Sequence, residues 1–384
     1  MSKRQIFLLM AISIMACKKP YNPKVIDSPK SYLVVEGVIN TNDTTAIKIS
    51  RTVNISNSHT INPVAANVSI ESDVGESYPL YQTAAGIYTL AGIQLDGTHK
   101  YRLNITTLDN ENQYRSDFVA VKDAPAIDSV GFKITGKGIQ IYTNTHDPAN
   151  HTRYYRYDYL ETWKFHSAYS SSWKSDGSSI VPRPPEEQVF YCFKSNASSS
   201  IILGSTAKLK QDMLVQLPVT EIESTSEKIE LKYSILLRQY ALTAEAYKFW
   251  ETLKKNTEQL GSIFDAEPTQ LAGNIHNIND NSDVVIGFIS AGAVSLKRVF
   301  IANEQLPAGF MTVYPYQCAL DSSFYDEHGS HANTVQLNLV TGLEVPVSAI
   351  FSTAGPSPAG FLGSDALCVD CTLRGTTKQP DFWQ

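Results

Sequence analysis

Cys368 and Cys371 stand three positions apart near the end of a 384-residue chain, and His328 and His331 repeat the spacing. Two thiolates and two imidazoles at such separations form the donor set of a tetrahedral zinc site. Asp326 and Glu327 crowd the histidine loop and would let it hold a metal alone, as a metal-dependent hydrolase requires. A solvated loop accounts for the same residues without a metal. Cys192 and Cys318 offer themselves as oxidation partners for the CxxC pair, so two structural disulfides compete with zinc. We therefore expect no metal and no cofactor. A redox role for the CxxC lacks the βαβ unit that such motifs sit in. Asn279 to Asp283 has the composition of a calcium loop but neither its central glycine nor its closing glutamate, and reads as a turn. His276, in Gly273-Asn-Ile-His276, reads as a backbone-bonding structural histidine rather than a base. No Gly-x-Ser-x-Gly elbow, phosphate loop or HExxH occurs. We expect no enzyme.

The ligand candidate is aromatic. Tyr155, Tyr157, Tyr159, Trp163 and Phe165 fall on one parity of a long run, with Trp173 nearby. Flat rings on one strand face can stack on a glycan or another small ligand. Cross-strand packing inside a sheet explains the same pattern, and we favour it.

The elements that position these residues are mostly strands. Lys3 and Arg4 precede an apolar run from Ile6 to Met15, then Ala16 and Cys17. We read 1–16 as a signal peptide, Cys17 as a lipidated N-terminus and 17–30 as a tether. Removal of Lys3 and Arg4 moves the formal charge from −6 to −8, which argues against a nucleic-acid partner. In an oxidising compartment four cysteines make two disulfides. Three pairings are open, and sequence does not choose among them; we favour the two that give Cys192 and Cys318 one member each of the Cys368/Cys371 pair.

Short alternating segments between turns over 31–123 predict an immunoglobulin-like or carboxypeptidase-regulatory-like β-sandwich. Glu36 and Gly37 interrupt its first strand as a bulge. Residues 127–384 read as a larger β-rich domain, with a Ser- and Pro-rich surface loop over 168–187. From Pro307 onward the chain reads as turn-rich. One amphipathic helix is expected near 243–260, capped by Thr243 and stopped by Gly261. The fold class is mainly β.

These features together carry a resemblance. Leu33-Val-Val-Glu-Gly37, Gly86-Ile-Tyr-Thr89 and Pro125-Ala-Ile-Asp-Ser129 are joined by Tyr233-Ser-Ile-Leu236, Gln239-Tyr-Ala-Leu242 and Tyr247-Lys-Phe-Trp250. Gly261-Ser-Ile-Phe264, Gly273-Asn-Ile-His276, Cys368-Val-Asp-Cys371 and Asp381-Phe-Trp383 complete the set. The chain resembles the Bacteroidetes lipoproteins grouped as domain of unknown function 4249 (DUF4249). The resemblance implies a lipid-anchored envelope protein of the outer membrane, accessory to a TonB-dependent receptor in nutrient or ligand capture. It carries over no catalytic residues. The competing expectation is a structural or adhesive envelope lipoprotein. The face of the membrane is left open.

Overall fold

A computed structural model describes residues 31–53, 62–109, 111–258, 271, 273–325, 332–353 and 355–383. The chain is mainly β, as its alternating segments predict. Cys17 and the expected leader and tether lie outside the described residues, as do His328, His331 and Gly261.

The first sandwich begins with β1 (Leu33–Val38), β2 (Thr45–Arg51), β3 (Asn62–Pro63), β4 (Ala66–Ser72) and β5 (Ser77–Ala84). It continues with β6 (Ile87–Leu90), β7 (Lys100–Thr107), β8 (Gln113–Ser116) and β9 (Val119–Ala120). Strand β5 pairs with both β4 and β6, so one hydrogen-bonded path folds over on itself. Alternate residues point inward: Val68 and Ile70 from β4 meet Tyr101, Leu103 and Ile105 from β7 in one core. Tyr88 is buried with its hydroxyl satisfied, donating to the Val64 carbonyl at 2.9 Å and accepting from the Ala66 amide at 2.7 Å. The bulge expected at Gly37 is absent. The β1–β2 register runs unbroken from Leu33 to Val38. The glycine serves close approach instead, since a Cβ there would lie 2.5 Å from the Ala46 carbonyl oxygen.

The linear division into 31–123 and 127–384 fails at one place. Residues 273–293 return to the first sandwich from deep inside the second half. There β19 (Ile275–Asn277) adds antiparallel to β8, and β20 (Val285–Ile286) adds parallel to β1. Ile275, Val285, Ile289 and Ala291 are buried in the first core. Asn274 fastens this strap, accepting from the Ile289 amide at 2.8 Å and donating to its carbonyl at 2.9 Å. Gly292 lets the strap lie flat, because a Cβ would sit 1.8 Å from the Lys122 carbonyl oxygen.

The second sandwich stacks two antiparallel sheets. One is β10 (Ile127–Ile134), β11 (Gly138–His146) and β17 (Met213–Glu223). The other is built on β12 (Tyr154–His166), flanked by β15 (Tyr191–Ala197) and β16 (Ile202–Ser205) on one side. On the other side lie β18 (Lys232–Ala241) and then β21 (Ser295–Ala302). This two-layer arrangement is immunoglobulin-like. Helix α1 (Ala244–Glu258) follows β18. The Thr243 hydroxyl accepts from the Ala246 amide at 3.2 Å, which is the expected cap. Its buried residues are Ala246 and Phe249.

A third, small unit corrects two expectations. The loop over 168–187 contains a hairpin, β13 (Trp173–Ser175) with β14 (Ile180–Pro182). The stretch after Pro307 contains β22 (Asp321–Phe324), β23 (Val345–Phe351) and β24 (Pro358–Ser364), ordered β22-β24-β23. Ile180, Val335, Leu339 and Phe361 form its core. Disulfides Cys192–Cys371 and Cys318–Cys368 tie this region down. Each of Cys192 and Cys318 thus takes one member of the Cys368/Cys371 pair, one of the two favoured pairings.

Candidate functional site

Parity on β12 decides what the site is made of. Tyr155, Tyr157, Tyr159 and Trp163 point into the core between the two sheets, none more than 7 % exposed. The aromatic ladder is packing, not a ligand face. Tyr155 donates to Asp212, itself buried and held by Thr206. Trp173 is elsewhere, with its ring 5.1 Å from that of Phe361 in the small third unit.

The opposite parity of β12 carries Arg156, Asp158 and Leu160. Beside them on β18 stand Leu236, Arg238 and Tyr240. This face floors a cleft of about 1280 Å³. Its far wall is the turn of the β1–β2 hairpin, including Asn42 and Thr44, together with Glu36 and Lys48. Helix α1 and the loop 198–201 complete it. Helix and loop are bound to each other. Lys254 Nζ donates to the Ile201 carbonyl at 2.6 Å, and Glu258 accepts from the Ile201 amide at 2.6 Å.

The electrostatics of the floor are specific. The Arg156 guanidinium lies 4.1 Å from the Tyr240 ring centroid and 4.5 Å from that of Trp250. Such cation–π contacts fix a guanidinium plane as well as stabilising it. Arg156 Nη1 is 3.5 Å from Asp158 Oδ2, and Arg238 Nε donates to Asp158 Oδ1. Arg156 Nε is buried with no hydrogen-bond partner. Burial, and then the charge of Asp158, push the Tyr240 hydroxyl up to about 12. Burial opposes the Arg238 charge, but Tyr240, once ionised in alkali, and Asp158 outweigh it and hold its pKa above the ordinary value. Neutral Tyr240 and two guanidinium ions around one carboxylate leave this wall with net positive charge.

The remaining candidates separate. Cys368 and Cys371 are consumed in disulfides, which removes them as zinc ligands. Among the described residues, no group of three or more His, Cys, Asp and Glu side chains is placed to hold a metal ion. His276 is exposed on β19, with Nε2 3.6 Å from Asp117 Oδ1 rather than on backbone. Asp283 accepts from Tyr114 at 2.8 Å and from Asn277 at 2.9 Å, so the 279–283 turn is held by protein groups. Among the described residues, no helix is long and apolar enough to cross a membrane. The cleft residues Arg156, Asp158, Arg238 and Tyr240 were missed by sequence reasoning. The available signal was the charged parity of β12 and β18, alternating with the aromatic one.

A search of curated proteins returns no match. Among solved structures, a two fibronectin type-III domain segment from chicken tenascin is similar at 10 % identity, covering 56 % of this chain and 93 % of that one. Its TM-score is 0.18, and the likeness carries no argument. The family model described as Domain of unknown function (DUF4249) matches residues 18–298. That span is more than half of the chain, and every residue named on the cleft wall, from Glu36 to Glu258, falls within it. The chain belongs to the DUF4249 family.

Proposed function

We propose that this protein is a non-catalytic lipoprotein of the outer membrane, anchored through Cys17, that captures a ligand as an accessory to a TonB-dependent receptor. The cleft carries the reading. Its volume, about 1280 Å³, exceeds the usual ~300–1,000 Å³ of small-molecule sites. Its floor presents charged and aromatic groups already fixed by one another, which lowers the ordering cost of binding. The strap 273–293 joins the two sandwiches that wall it, so the cleft is preformed. Cys17 leads the resemblance to envelope lipoproteins and supplies the membrane link.

The test is copurification. Full-length protein extracted under mild detergent is expected to bring down a large β-barrel receptor, and a Cys17→Ser variant is expected to leave the membrane fraction. Recovery of the wild-type protein with no barrel refutes the accessory role.

A further inference from the structure

We propose that the cleft takes an acidic oligosaccharide, a hydroxyl-rich chain whose carboxylate seats on Arg238 and Arg156. The inference rests on the capture reading of the same cleft. Two guanidinium groups share the single carboxylate of Asp158. Arg238 uses only Nε for that bond, and its side chain keeps 35 % exposure. Among the described residues, its two terminal nitrogens meet no protein acceptor. Arg156 is clamped between two rings, so its fork is oriented before any ligand arrives. The two terminal nitrogens of Arg238 match a carboxylate with two parallel bonds, and Arg156, whose Nε is buried and whose Nη1 faces Asp158, adds its charge and its Nη2.

The other charged groups of the cleft are engaged locally. Lys48 pairs with Glu36 at 2.9 Å, Glu258 lies 3.9 Å from Lys254 and holds the Ile201 amide, and Asp43, at the exposed hairpin turn, keeps its charge while accepting from the Thr44 amide at 2.6 Å. Beside Asp43, the walls offer hydroxyl and amide: Ser199, Ser200, Asn42 and Thr44. Those groups complement a polyol. Strands β12 and β18 are each paired on both sides, so the floor offers no free backbone edge to an extended peptide. The size of the cleft fits several linked units better than one.

Full-length protein in detergent micelles is titrated calorimetrically with hexagalacturonate, with its fully methyl-esterified form, and with hexaglutamate. Hexagalacturonate is expected to bind and to weaken with added salt. The ester, which keeps the hydroxyls and loses the charge, is expected to bind at least about tenfold more weakly. Arg238→Gln is expected to lose at least about tenfold in affinity while its thermal unfolding stays close to wild type. Ser199→Trp, on the exposed loop, is expected to block binding without touching the charges. Equal affinity for acid and ester, full affinity in Arg238→Gln, or no binding of any probe overturns the proposal. Binding of hexaglutamate in place of the saccharide overturns it too. Receptor copurification is scored separately, so a missing receptor and a missing acidic ligand are distinct failures.

Discussion

The two sandwiches close in opposite ways. The first is closed without a covalent bond, by a strap that leaves the second after β18 and α1 and returns before β21. Ile275, Val285 and Ile289 are as much its core as Leu33 or Ile47. The second sandwich completes its own sheets, then secures the segment beyond β21 with Cys192–Cys371 and Cys318–Cys368, spanning 179 and 50 residues. One closure depends on another domain being in place, the other on oxidation. The difference predicts that the first sandwich is indifferent to reductant and sensitive to truncation, and that the third unit behaves the other way round.

The largest effect tests that split directly. A fragment covering 31–123 loses three large buried side chains of the strap, roughly 5–9 kcal/mol, comparable with a whole domain's stability. It is expected to show no cooperative thermal transition, and one that folds alone would break the comparison. Next comes the Cys318→Ser, Cys368→Ser double variant. A closed loop of this length is worth about 4 kcal/mol in the chain-entropy account. Hydrogen exchange is expected to accelerate in β22 to β24 and stay unchanged in β4 and β7. Faster exchange in both places would mean the two closures are coupled. Asn274→Ala removes both bonds to Ile289 and is expected to cost about 2–4 kcal/mol, read as earlier unfolding of the first sandwich.

The smallest effect has a pH signature. Burial, and then Asp321, hold the Glu344 carboxyl above its ordinary value, and its Oε2 is buried without a partner. The folded state therefore keeps this proton more tightly than the unfolded one. The group's contribution falls as pH rises from the ordinary glutamate value through the raised one. Glu344→Gln is expected to raise the melting temperature slightly at neutral pH and to leave it unchanged near about pH 3. A gain that persists in acid would assign the effect to packing.

Much of this organisation was legible in the residues. The strands of the first sandwich alternate cleanly, α1 begins at its capping threonine, and the cysteines pair as favoured. The strap was not legible as such, because β19 and β20 have three and two residues, too few to name a partner. The third unit was hidden for another reason. Pro346, Pro358, Gly360 and Gly363 sit in its strands and imitate turns. On β12 the alternation was visible, but alternation does not say which parity meets a second sheet. The aromatic parity packs inside, the reading favoured over a ligand face, and Arg156 and Asp158 hold the open one.

The strap also sets a schedule. The first sandwich is first to be synthesised, yet it stays open until everything from Ala124 to Ala272 has emerged and Ile289 can arrive. The wait holds for any N-to-C emergence of the chain, whether from the ribosome or across a membrane. Throughout it, the edges of β1 and β8 that later receive β20 and β19 are unpaired, and such edges recruit foreign strands. The N-terminal half of the nascent chain is thus the part expected to need a holding chaperone, although its core is fully closed once the chain is complete.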